Sequence, residues 1–183
     1  MRIVKGRRWW WVALLAVLAS ACSDDGGSTA TTTTLANPTT SLEVASVAEY
    51  VAIIEDAKAE LEPSLAEART CMASCDEGGA VSVIDAGLEA ETLALRLESA
   101  GDASTAGYVG APPQELGSLV IFTIVAANEL DGAANAWTGA NCGPQAGASV
   151  KSAATCDELT ASLSAALNKM RGTLTAWDPH LES

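Results

Sequence analysis

Cys71, Cys75, Cys142 and Cys156 are the side chains of this chain with the widest chemical range. A thiolate can ligate a metal, attack an electrophile or close a disulfide. Structural zinc sites present two C-x2–4-C knuckles. Here one pair has C-x3-C spacing and the other is separated by 13 residues, so the pattern favours disulfides over a metal site. The chain has a single histidine, His180, four residues from its end and next to Pro179. A Ser/His/Asp or Cys/His triad is not expected, since no histidine lies centrally in the chain. The single histidine also excludes a di-iron carboxylate centre, which needs a Glu-x-x-His motif on each of two helices. His180 is expected to be frayed and solvated. Adjacent acids at Glu55-Asp56, Glu89/Glu91 and Asp157-Glu158 point in different directions on a helix and read as solvated faces. The glycines near Tyr108 and Gly143 lack the strand-to-helix setting of a phosphate loop. The expectation is a non-enzymatic protein with no cofactor and no metal.

Cys22 stands apart from the other four. Residues 1–8 (MRIVKGRR) are basic, and residues 9–19 (WWWVALLAVLA) form an apolar run of 11 residues. A membrane span needs about 20, so this run has the length of a secretory signal peptide. Leu18-Ala19-Ser20-Ala21-Cys22 follows, and it resembles the lipobox of bacterial lipoproteins, with Ala19 where Leu is the commoner family residue. The resemblance covers residues 1–22 only. It implies that the Cys22 thiol receives a diacylglyceryl group, that cleavage falls before Cys22, and that the chain is held on the extracytoplasmic face of a bacterial membrane. Two acyl chains supply the hydrophobic anchorage that a single chain lacks. Residues 23–41 (SDDGGSTATTTTLANPTTS) are polar and small apart from one Leu, and such a segment cannot bury enough surface to fold. About 18 flexible residues span roughly 24 Å, enough to hold a domain clear of headgroups. The resulting division is a signal peptide over 1–21, lipidated Cys22 and a tether over 22–41, and a folded domain over 42–183. An oxidising compartment then favours disulfides among the remaining cysteines.

Four of the ten basic residues precede Cys22 and no acid does, so residues 22–183 hold 6 basic and 23 acidic residues, a formal charge of −17. That argues against nucleic acid, which demands a basic face, and against peripheral contact with anionic headgroups. It suits a soluble, self-repelling surface domain.

Beyond residue 41 the apolar residues recur at helical spacing. Val47, Val51, Ile54, Leu61, Leu65, Ala68 and Met72 predict a first helix, with Lys58 as the misfit and Thr40/Glu43 as a candidate capping box. Pro63 should kink this helix or start a second one. The second helix is expected over 81–99, with Val81, Ile84, Leu88 and Leu95 as its inward stripe, widened by Leu93, Ala94 and Leu97. A Gly-rich loop covers 100–111. Pro112 and Pro113 introduce a third helix with the seam Leu116, Val120, Thr123, Ala127, Leu130, Ala134 and Trp137. Its first half, LVIFTIVAA at 119–127, is apolar all round and predicts burial on more than one face. Thr155 and Glu158 form a candidate capping box for a fourth helix carrying Leu159, Leu163, Ala166, Met170, Leu174 and Trp177, which stops at Pro179. No strand pattern competes. The expected fold is all-α, an antiparallel up-down four-helix bundle stapled by disulfides.

In that order all four thiols lie at one end of the bundle, and three pairings are open. Cys71 to Cys75 would link residues about 6 Å apart along one helix, a poor geometry for a disulfide. Cys71 lies about one turn below Cys75, so the expected arrangement is crossed: Cys71 with Cys156 at the start of the fourth helix, and Cys75, nearer the tip, with Cys142 of the loop. Trp137 and Trp177 read as core caps at opposite ends. Tyr108, in the Gly-rich loop, is the aromatic that packing does not demand, and is the candidate partner contact. The expected role is binding an envelope protein or a small apolar ligand. The alternative is a structural or protective surface lipoprotein. A cavity lined by 119–127 would favour the small ligand, and an apolar patch beside the Tyr108 loop would favour a protein partner.

Overall fold

A computed structural model describes residues 43–74, 77–143 and 153–182. The segments expected to be signal peptide and tether, with Cys22, Thr40 and Cys75, lie outside these residues. Among the described residues the chain is all-helical, with four long helices, α1 (Val47–Ser74), α2 (Glu77–Gly101), α3 (Gly117–Gly139) and α4 (Ala153–Thr175), and a short α5 (Asp178–Leu181). α1 packs against α2, α4 and α5, α2 against α3, and α3 against α4. One isolated bridge pairs Val44 with Ala111.

α1 starts at Val47, nearly two turns later than a Thr40/Glu43 capping box would place it. Ser46 and Glu49 form the capping box: the Ser46 N–H donates to Glu49 Oε2 (2.8 Å), and the Glu49 N–H to Ser46 Oγ (3.3 Å). Two orphan amides are thereby satisfied reciprocally. The Ser46 N–H, and after it the Ser46 hydroxyl donating to Glu49 Oε2 (2.8 Å), hold the Glu49 carboxyl below its ordinary range. Pro63 neither ends nor divides α1, which runs through it. Pro63 and Ala59, whose carbonyl loses its partner, both lie on the exposed face, where water can replace the missing hydrogen bond. The buried line is Tyr50, Ile54, Ala57, Leu61, Leu65, Ala68 and Cys71. Lys58 ceases to be a misfit, because its ammonium bonds the Asp178 carboxylate of α5 and lies 3.6 Å from Glu62. The bond to Asp178 is the chief cause that raises the Lys58 pKa.

The stripe expected for α2 holds in its widening residues Leu93, Ala94 and Leu97 and fails in its other four. Val81, Ile84, Leu88 and Leu95 are 45–54% exposed, whereas Val83, Ala86, Ala90, Leu93, Ala94, Leu97 and Ala100 form the core face. The reason is close packing on small residues. A Cβ at Gly87 would lie 2.9 Å from Ala134 Cβ, so α2 and α3 meet at a distance that larger side chains forbid.

The α3 seam is buried as expected, from Leu116 through Trp137. The expectation of all-round burial for 119–127 fails: Ile121, Phe122 and Val125 are exposed by 60%, 63% and 41%. In α4, Leu163, Ala166, Met170, Leu174 and Trp177 are buried as expected, with Leu167 in addition. Thr155 and Glu158 lie inside α4, which begins at Ala153, so they are not its capping box. His180 is not frayed: it is half-buried in α5, edge-on to Trp177 at a centroid distance of 6.2 Å.

Cys142 is bonded to Cys156, which corrects the crossed pairing. The expectation placed Cys156 level with Cys71, one turn below the loop. Instead Cys156 sits in the first turns of α4, and Cys142 follows the end of α3 closely enough for a Cα separation of 5.3 Å. Cys71 is disulfide-bonded as well. The Cys142–Cys156 bond closes a 14-residue separation, for which loop-closure entropy gives about 3 kcal/mol. Cys142→Ser/Cys156→Ser should therefore lower the urea unfolding free energy by up to about 3 kcal/mol. A loss below about 0.5 kcal/mol would mean that the staple does not constrain the unfolded chain.

Candidate functional site: an apolar groove beside the α2–α3 loop

The loop between α2 and α3 is Gly-rich but firmly tied. The Val109 and Gly110 N–H groups both donate to the Ala100 carbonyl (3.0 and 3.1 Å). Ala45 N–H donates to the Ala111 carbonyl and Ala111 N–H to the Glu43 carbonyl. Gly110 has φ +135°, and a Cβ there would stand 2.7 Å from Ala45 N, so only glycine fits where the chain before α1 crosses the loop. Below the crossing, fully buried Tyr50 donates its hydroxyl to the Gly110 carbonyl (3.0 Å). Burial first, then nearby Tyr108, pushes the Tyr50 pKa up. At the near end Asp102 accepts the Ser104 N–H (2.9 Å) and hydroxyl (2.8 Å), which holds its carboxyl below its ordinary range. Thr105 donates its hydroxyl to the Ser99 carbonyl (2.7 Å).

This loop forms one wall of an open groove of about 530 Å³. Ile53 of α1, Leu95 of α2, and Ala106 and Val109 of the loop supply its apolar surface. Thr92, Arg96, Ser99 and Thr105 supply hydroxyls and one guanidinium. Arg96 is held in place by Asp56 across α1 and α2 (3.0 Å). The lining contains no histidine, cysteine or carboxylate, so it holds no nucleophile–base pair. It is equipped to take an apolar body, with hydroxyl oxygens at its rim, since the Thr92 and Thr105 hydroxyls donate to the Leu88 and Ser99 carbonyls.

Tyr108 is half-buried rather than exposed. Its neighbours Gly107 and Val109 line the groove, so the structure brings the loop, not the phenol itself, to the site. Cys142 and Cys156 are consumed in their disulfide. Trp137 and Trp177 are buried, and each indole N–H is satisfied, by Thr160 Oγ1 (3.0 Å) and Thr123 Oγ1 (2.9 Å). Among the described residues no group of three or more His, Cys, Asp or Glu side chains is placed to hold a metal.

Glu89, expected on a solvated face, is not fully solvated. It is half-buried on α2, and its Oε2 is buried with no hydrogen-bond partner. Burial is the main cause that raises its pKa; a hydrogen bond with Ser64 pulls it down, and Asp85 and Glu60 push it further up. A carboxyl whose folded pKa lies above its unfolded value costs stability when ionised, and the cost fades as pH falls into the ordinary glutamate range. Glu89→Gln should therefore raise the urea midpoint near pH 7, with the gain vanishing below about pH 4. A loss at pH 7, or a gain unchanged at low pH, would contradict this.

No family model matches the chain, and neither the curated proteins nor the solved structures hold a match to it. The functional reading rests on the residues and their geometry.

Proposed function

We propose that this chain is a lipid-anchored, non-enzymatic binding protein of a bacterial cell envelope, and that its helical domain engages an envelope protein. The anchor is the lipid on Cys22, on the extracytoplasmic face, with residues 23–41 as the tether. The observation that carries the binding half is the apolar groove beside the pinned α2–α3 loop. An open apolar surface bordered by polar groups favours a protein partner over a small molecule enclosed between helices. A tied loop also loses little entropy on binding.

The bundle is read as antiparallel and up-down. Arg96 with Asp56 and Ser82 with Glu67 match later α2 residues to earlier α1 residues. Gly87 against Ala134 does the same for α2 and α3, and Trp137 with Thr160 and Lys169 with Glu129 for α3 and α4.

The test is site-specific crosslinking on intact cells. A photoreactive residue at Ala106 should give a discrete adduct with one envelope protein, and the same residue at Gly172 on exposed α4 should not. No adduct at position 106, or the same adducts at both positions, would overturn the reading.

A further inference from the structure

The exposed apolar side chains of α2 and α3 are not scattered. At about 100° per residue, Val81, Ile84, Leu88 and Leu95 fall in one narrow stripe on the side of α2 opposite its core residues Val83, Ala90 and Leu97. Ile121 and Val125 lie opposite the core residues Thr123, Ala127 and Leu130 of α3. α2 and α3 pack along one another, with Gly87 against Ala134 and Asp131. In the antiparallel order this contact brings Leu95 level with Val125, and both stripes turn to the same outer side. Along the junction between them stand Glu91 of α2, which is exposed, and Asp131 of α3, which is half-buried. α3 contains no Lys or Arg, and the one basic residue of α2, Arg96, is engaged by Asp56 on the α1 side. The face is thus apolar with acids and no cation of its own.

We infer that this outer α2–α3 face docks a cationic amphipathic helix, whose apolar stripe would lie over Leu88, Leu95 and Val125 while its Lys or Arg residues meet Glu91 and Asp131. Helix-in-groove recognition needs this combination, apolar anchors at helical spacing with opposite charge at the border. A second copy of the chain would bring the same acids against these. An anionic bilayer would repel them. The inference deepens the proposed partner-binding role and rests on it, naming the chemistry of the partner.

The probe is an 18-residue peptide of Leu and Lys patterned as an amphipathic helix, titrated into the purified full chain and followed by fluorescence anisotropy. Binding in the micromolar range is expected, weakened at least tenfold by Leu88→Asp/Val125→Asp. Both side chains are exposed, so circular dichroism of the variant should match the parent. Raising the salt to about 0.5 M should also weaken binding. A scrambled peptide of the same composition should bind at least tenfold more weakly, since it keeps the charge and loses the stripe. No binding, equal binding by the variant, or equal binding by the scrambled peptide would overturn the inference. So would a dimer in sedimentation that Leu88→Asp/Val125→Asp dissociates, or uptake onto phosphatidylglycerol vesicles that the same variant abolishes. Leu95 borders both surfaces, but neither Leu88 nor Val125, the two positions substituted, lines the groove beside the loop. Peptide binding without an adduct at position 106 would therefore remove the groove and keep this face, and the converse result would do the opposite.

Discussion

Trp177→Ala should destabilise the helical domain by about 3–5 kcal/mol. Trp177 is 0% exposed and is the largest fully buried side chain of the core. It sits just past α4, where the chain turns into α5. Truncation removes an indole's worth of apolar surface from the interior and leaves a cavity that neighbouring helices can fill only in part. A second loss is polar. The indole N–H donates to Thr123 Oγ1, and Thr123 is itself 0% exposed on α3. The threonine hydroxyl donates in turn to the Leu119 carbonyl (2.7 Å), so the indole satisfies the oxygen of a group already committed to its own helix. Without it that oxygen is buried with an unused acceptor, at about 1–3 kcal/mol. Single domains are stable by about 5–15 kcal/mol, so this one change should bring the fold close to its limit. Trp177→Phe separates the two parts: it keeps most of the ring volume and loses the N–H, and should cost about 1–2 kcal/mol. Urea denaturation followed at 222 nm measures both. A Trp177→Ala loss below about 1 kcal/mol would mean that the end of α4 does not belong to the cooperative core.

How far the fold could be read from residue types differs from helix to helix for physical reasons. α3 was legible because its seam, Leu116 to Trp137, uses large residues at strict helical spacing on the face that is buried. α2 was legible only in part because it carries large aliphatics on two sides. Leu93 and Leu97 lie inside with Val83 and the alanines, whereas Val81, Ile84, Leu88 and Leu95 lie outside. A pattern weighted by hydrophobic size cannot tell which of two aliphatic faces is buried. The same ambiguity hid the exposed apolar surface of α2, and with it the strongest lead to a binding face. The Tyr108 loop was found through its composition, but the groove was not, since Ile53, Leu95 and Val109 come from three separate segments. Lys58 looked misplaced only because its partner Asp178 lies 120 residues away in sequence. Glu89 gave no signal at all: an acid whose burial is decided by a neighbouring helix resembles any other acid on a charged face. The cysteines yielded their chemistry but not their pairing, because half a turn of uncertainty at the start of α4 decides which thiols can meet.

Membrane anchorage is the claim on which the envelope role depends, and Cys22 tests it with the largest contrast available. Cells expressing the intact chain and the Cys22→Ser variant are grown with a radiolabelled or alkyne-tagged fatty acid, and the immunoprecipitated protein is compared for label and for size. The account predicts label on the intact chain only, with the variant accumulating as a larger, unprocessed precursor, since the serine hydroxyl cannot take the thioether-linked diacylglyceryl group. Fatty-acid label on the Cys22→Ser chain at the level of the parent, or a parent chain that carries none, would contradict it.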